Sequence, residues 1–103
     1  MIGIIGAMES EVNGLKAALQ NMKTKTTASV EFCAGTLEGK DVVIAEAGVG
    51  KVNAAVTAQI MILEYGADAV INIGVAGGLE SSLRIGDIVV ADKVVEHDMD
   101  TTP

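Results

Sequence analysis

VVIAEAGVGKVNAAVTAQIMILEYGADAVINIGVAGG, Val42 to Gly78, decides the fold. Its first part closes a strand. KVNAAVTAQIMILEYG then reads as a helix with Val52, Ala55, Val56, Ile60 and Leu63 inward, closed by Gly66. ADAVINIGVAGGL is a continuous apolar strand that runs into a glycine-rich turn. A strand, a helix and a second strand apolar on both faces predict an α/β arrangement with a largely parallel or mixed sheet.

The flanking sequence extends the pattern. IGIIGA, from Ile2 to Ala7, reads as a short buried strand ending in glycine. In MESEVNGLKAALQNM, apolar Met8, Val12, Leu15, Leu19 and Met22 fall on one helix face, which predicts a helix through Met22. VEFCAGTLEGKDVVIAEAG reads as two strands joined at Glu38-Gly39-Lys40, and IGDIVVADKVVEHD as a last strand opened by a Gly-Asp turn. No repeat, low-complexity tract or linker interrupts residues 1–103, which read as a single α/β domain.

Composition narrows the function classes. Hydrophobic residues make up 50% of the chain and aromatics only 2%, so small and β-branched side chains fill a tightly packed interior. The net charge of −7 opposes phosphate backbones and anionic lipid, against nucleic-acid or membrane partners. The lone Cys33 excludes an internal disulfide, suits a reducing cytosol and reads as a small buried apolar residue. The chain opens directly on MIGIIGA without a basic leader, so no signal peptide or membrane span is expected and the location is expected to be cytoplasmic.

AGVGKVNAA, Ala47 to Ala55, tests for a phosphate loop and fails twice. Val52 stands where a Walker loop needs a magnesium-binding hydroxyl, and Ala45 where it needs its first glycine. GIIGAM and GVAGGL are not dinucleotide fingerprints either. Glycine turns nevertheless close three strands, at Gly6, at Gly48 and Gly50, and at Gly74, Gly77 and Gly78. Ligands of such sheets sit at the carboxyl ends of strands, so three coincident turns point to a small-molecule cleft. Glycines that merely allow tight turns give the same pattern.

Glu11 is the carboxylate placed for chemistry. At roughly 100° per residue it lies about 60° from Met8 and borders the apolar stripe, while Glu9 tends to solvent. Its place in the first helical turn, toward the sheet's carboxyl edge, makes it a candidate general base. The pattern alone favours a plainer reading, two first-turn acids that complement the helix dipole. EHDMD, Glu96 to Asp100, is too weakly spaced for a metal site. Strand alternation would put His97 and Asp98 on opposite faces, and a solvated or hydrogen-bonded loop is the better reading. Lys51 reads as a solvent-facing lysine.

IGIIGAMESEV, AGVGKVNAA, INIGVAGGL and GDIVVADKVVEHDMD, in this order, make the chain resemble the N-terminal half of bacterial 5′-methylthioadenosine/S-adenosylhomocysteine nucleosidases, of the nucleoside phosphorylase superfamily. The resemblance covers essentially all of the chain. It implies a single α/β domain around a mixed sheet, of which this chain is part. It also implies a cytoplasmic homodimer that hydrolyses the N-glycosidic bond and releases adenine, with no metal and no organic cofactor. By motif, Glu11 would act on the attacking water and Met8 would face the ribose and 5′-substituent. Val49 would line an apolar pocket, and Val75, Ala76 and Gly77 would form the turn that approaches ribose and base.

The resemblance favours water over phosphate as the nucleophile. Phosphorylases of the superfamily carry arginines where this chain has Met8-Glu9-Ser10-Glu11 and Asn72-Ile73-Gly74. A phosphate dianion would meet a carboxylate there, at a cost on the order of several kcal/mol if poorly solvated. Two departures mark a divergent branch: Val75 replaces a common serine, and Glu46-Ala47 a polar-Ser pair. Family chains run well beyond Pro103, and the acid that protonates adenine lies there. This chain alone is therefore expected to be inactive, as a fragment or truncated frame. A futalosine- or AMP-type nucleoside substrate, or a non-catalytic α/β fragment, are the competing expectations.

Overall fold

The computed structural model describes residues 1–103. Strand β1 (Ile2–Gly6) leads into helix α1 (Glu9–Ala18). Strands β2 (Gln20–Thr27), β3 (Val30–Leu37) and β4 (Lys40–Glu46) follow, then helix α2 (Lys51–Tyr65) and strand β5 (Ala69–Ile73). They form one mixed sheet in the order β2-β3-β4-β1-β5. β1 pairs in parallel with β4 and β5, while β2-β3 and β3-β4 are antiparallel. No helix is long and apolar enough to cross a membrane.

Strand alternation distributes the core to the two faces. Ile4, Val42 and Ile44 point to the side covered by α1 and cluster with Val12. Ile5, Val43 and Ala45 point to the other side and cluster with Phe32 and Met61. There Phe32 stacks on Tyr65 of α2, with ring centroids 5.5 Å apart. Helix α2 sits close to the sheet because Gly3 has no side chain: a Cβ there would lie 2.6 Å from Met61 Sδ.

Three expected elements are corrected. Helix α1 stops at Ala18, and Leu19 is already extended with ψ 136°. Met22 belongs instead to β2, an exposed edge strand whose polar QNMKTKTT gives no alternation. Its lysines suit an open edge. On α2, the inward residues are Thr57 and Met61, with Ala54, Ala58, Ile60 and Tyr65 partly covered, whereas Val52, Val56 and Leu63 are exposed. Of the five residues expected inward, only Ile60 packs against the core. The third correction concerns residues 74–103, which form no strand. The apolar run Ile88-Val89-Val90 is exposed and pairs with no strand of the sheet. The hairpin at Glu38-Gly39, the Gly66 helix end (φ 66°) and β5 match the sequence reading.

Candidate functional site

The register sets the carboxyl ends of three parallel strands side by side. Gly6 is level with Glu46 of β4 and with Ile73 of β5. Met8 and Glu11 follow the first end, Val49 the second, and Val75, Ala76 and Gly77 the third. The topology thus brings every sequence-selected residue to one sheet edge, where both helices also begin.

Glu11 occupies the middle of that edge. Its Oε2 accepts the backbone N–H of Ala7 at 2.6 Å and of Met8 at 3.2 Å. These are charge-assisted bonds that satisfy donors otherwise orphaned ahead of α1. The plainer reading of Glu11 as a first-turn acid is therefore realised by one oxygen. The second oxygen, Oε1, has no donor from the chain and faces the end of β5. A Cβ on Gly74 would lie 3.1 Å from it, and one on Gly6 would lie 3.3 Å from Oε2. The two strand-end glycines provide the space in which the carboxylate stands, half-buried and aimed between β1 and β5.

The loop after β4 is tied to the same edge. Ala47 N–H donates to the Gly6 carbonyl at 2.8 Å. Gly48 and Gly50 adopt φ of 84° and 105°, which other residues rarely tolerate, so the loop turns sharply into α2. Asn53 Nδ2 donates to the Val49 carbonyl at 2.9 Å. The Val49 side chain itself is 73% exposed. Met8 is also exposed, beside Glu11. Val75, Ala76 and Gly77 line a cleft of about 590 Å³ with Arg84, Ile85 and Val89, and neither Glu11, Met8 nor Val49 reaches its wall. The six residues are thus near one another without closing a single pocket.

Several participants escaped the sequence reading. Gly74 enters the sequence reading only as a turn former and Asn53 only within the α2 run, and Arg84 does not enter it. Lys51 is exposed, as expected, but its Nζ lies 2.7 Å from both Glu96 Oε1 and Asp98 Oδ1. Hydrogen bonds to Asp98 and then Glu96 raise its pKa above the usual lysine value. Glu96 and Asp98 both reach Lys51 although the segment forms no strand, so alternation along EHDMD could not have shown the pairing. Cys33 is buried, and burial raises its thiol pKa, with Lys16 opposing and Glu31 adding to the shift.

Comparison with known proteins places the fold in a family. The profile of the phosphorylase superfamily matches residues 1–103. A 5′-methylthioadenosine/S-adenosylhomocysteine nucleosidase of Shewanella sp. (strain MR-7) is 54% identical over 101 residues, covering 98% of this chain and 43% of the relative. The crystal structure of the S-adenosylhomocysteine nucleosidase from Streptococcus pyogenes, in complex with 5-methylthiotubericidin, superposes with a TM-score of 0.94 at 41% identity. It covers 97% of this chain and 42% of that one. The Colwellia psychrerythraea nucleosidase, in complex with adenine, gives 0.82 at 48% identity over 84% of this chain and 36% of that one. The chain therefore spans less than half the length of these relatives.

Proposed function

The chain belongs to the phosphorylase superfamily, and from that premise we propose that it carries the water-activating part of a purine nucleosidase. The reaction is hydrolysis of the N-glycosidic bond of 5′-methylthioadenosine and S-adenosylhomocysteine, the substrates named for the Shewanella relative. The observation that carries the reading is the Glu11 carboxylate. One oxygen is fixed by two backbone N–H groups, and the other is free at the carboxyl edge between Gly6 and Gly74.

In this reading Glu11 Oε1 accepts a proton from water as the water oxygen attacks the ribose carbon. The carbon–nitrogen bond breaks and its electron pair leaves with adenine. Fixing Oε2 costs the free oxygen little reorganisation, because the carboxylate is already oriented. Met8 faces the ribose and 5′-substituent, Val49 lines an apolar pocket, and Val75, Ala76 and Gly77 form the turn beside ribose and base. Protonation of adenine falls to an acid outside these residues, so the chain by itself is inactive. We read residues 1–103 as part of one domain of a cytoplasmic homodimer in methionine salvage, working without metal or cofactor. The exposed Val52, Val56 and Leu63 support the association, since apolar side chains of a helix seek cover.

The test mixes this chain with the C-terminal remainder of the Shewanella relative in ¹⁸O-labelled water and follows adenine release from methylthioadenosine. Release by the mixture alone, with label in the free ribose product, supports the reading. A sugar phosphate formed in phosphate buffer would make the protein a phosphorylase. Release from the 103 residues alone would overturn the assignment of the leaving-group acid.

A further inference from the structure

Residues 79–103 contain no helix or strand and expose Leu79, Ile85, Ile88, Val90, Val94 and Val95. Their backbone hydrogen bonds are internal, Leu83 to Glu80 and Asp87 to Arg84. Their remaining side-chain bonds are also local: the Arg84 N–H donates to Asp87 Oδ2, and the Thr102 N–H and hydroxyl donate to Asp100 Oδ1. The only hydrogen bonds or ion pairs that join this segment to the α/β body are those from Lys51 Nζ to Glu96 and Asp98, both 2.7 Å.

Lys51 is the first residue of α2, with no acid in that first turn. A cation at a helix N-terminus is unfavourable against the dipole, so helix stability does not account for it. With its two carboxylates the local charge becomes negative, which suits the dipole. The same lysine stands two residues after Val49, just past the loop that turns at Gly48 and Gly50. Asn53 holds that loop from the helix side, and Lys51 joins it to the 94–100 segment.

We propose that Lys51 is a positioning residue: it staples the Val94–Asp100 segment across the start of α2 and so fixes Val49 at the rim of the nucleoside site. The functional part rests on the nucleosidase reading, whereas the staple does not. Surface ion pairs are individually weak and screened by salt. Two carboxylates on one ammonium hold better than one, because the lysine side chain is ordered only once.

The test measures backbone ¹⁵N order parameters of Val94–Asp100 in the full 103-residue chain, with far-UV circular dichroism as a check on folding. The staple predicts values near 0.85, falling below about 0.6 in Lys51→Met or at high salt. Lys51→Arg should keep the segment rigid. Lys51→Glu should release it, and adding Glu96→Lys and Asp98→Lys should bring the rigidity back. A segment already flexible in the unsubstituted chain, or unmoved by Lys51→Met, overturns the staple. In the complemented assay, Lys51→Met should raise KM about two- to fivefold, the range open to a surface ion pair, with kcat nearly unchanged and Lys51→Arg restoring KM. An unchanged KM alongside a released segment would overturn the link to Val49. No adenine release from any version, with the order-parameter response intact, would remove the nucleosidase reading and leave the staple standing.

Discussion

Adding one methyl group at each of the two glycines that flank Glu11 separates folding from site geometry. In Gly6→Ala the new Cβ would lie 2.6 Å from Val12 Cγ1, a side chain with no solvent exposure. Val12 is held between α1 and the sheet, so relief requires the helix to shift. Overpacking of this kind costs about 1–3 kcal/mol. In Gly74→Ala the three nearest atoms to the Cβ would all belong to the Glu11 carboxylate, with Oε1 at 3.1 Å and Cδ at 3.4 Å. That side chain can give by a few tenths of an ångström without disturbing the core. Loss of glycine freedom in the unfolded chain returns about 0.4–1 kcal/mol. Urea denaturation should therefore show Gly6→Ala clearly destabilised and Gly74→Ala within about 0.5 kcal/mol of the parent chain. Adenine release by the complemented protein should fall about tenfold or more in Gly74→Ala, because the reacting oxygen has moved. Equal destabilisation by both substitutions, or full activity in Gly74→Ala, would refute the claim that Gly74 serves the carboxylate.

Three further outcomes follow from the packing. Thr57 Oγ1 is fully buried without a partner, so Thr57→Val should raise the urea midpoint by an amount worth about 1 kcal/mol. Ala28 and Ser29 turn the β2–β3 hairpin at φ 50° and 64°, a type I′ geometry that favours Asn-Gly. The double change Ala28→Asn, Ser29→Gly should therefore add about 1 kcal/mol, measured by thermal unfolding. Burial raises the pKa of both Cys33 and Tyr65 above their usual 9.0 and 10.0. The unfolded chain then loses its protons first, so their contribution is complete below pH 9 and is lost as pH rises through the folded values. Stability should thus fall as pH rises above about 9, and less steeply in Cys33→Ala.

The sequence carried the parallel part of the sheet because its strands are apolar on both faces and closed by glycines: IGIIG and VVIA lie buried, and AVINI, exposed at the sheet's edge, has the same composition. It could not carry β2. An edge strand with two solvated sides has no hydrophobic alternation, and its Met22 happened to continue the spacing of α1. Helix α2 misled for the opposite reason. It is apolar all round, so periodicity finds a stripe through Val52 and Val56 about 160° from the one that packs. What decides the face is tertiary: small Ala54 and Ala58 beside Met61 let the helix approach Gly3. The expected strand after Gly86 has the composition of a strand, yet it stays outside the sheet and leaves the outer edge of β5 unpaired. For the site, the helical wheel found Glu11 even though it extended α1 too far, because Met8 caps the helix and Glu11 lies in its true first turn. The wheel could not show that Glu11 divides its two oxygens between a cap and a cleft, nor that Lys51 gathers two carboxylates from 45 and 47 residues away.

The central claim is that Glu11 activates water, and the most direct measurement is adenine release by the complemented protein carrying Glu11→Gln. Glutamine keeps the side chain's size and one oxygen for the Ala7 and Met8 N–H groups, so the fold should survive, and circular dichroism would verify it. The account predicts a loss of release of about 10²-fold or more, the usual contribution of a general base. A folded Glu11→Gln protein that releases adenine at the parent rate would contradict it.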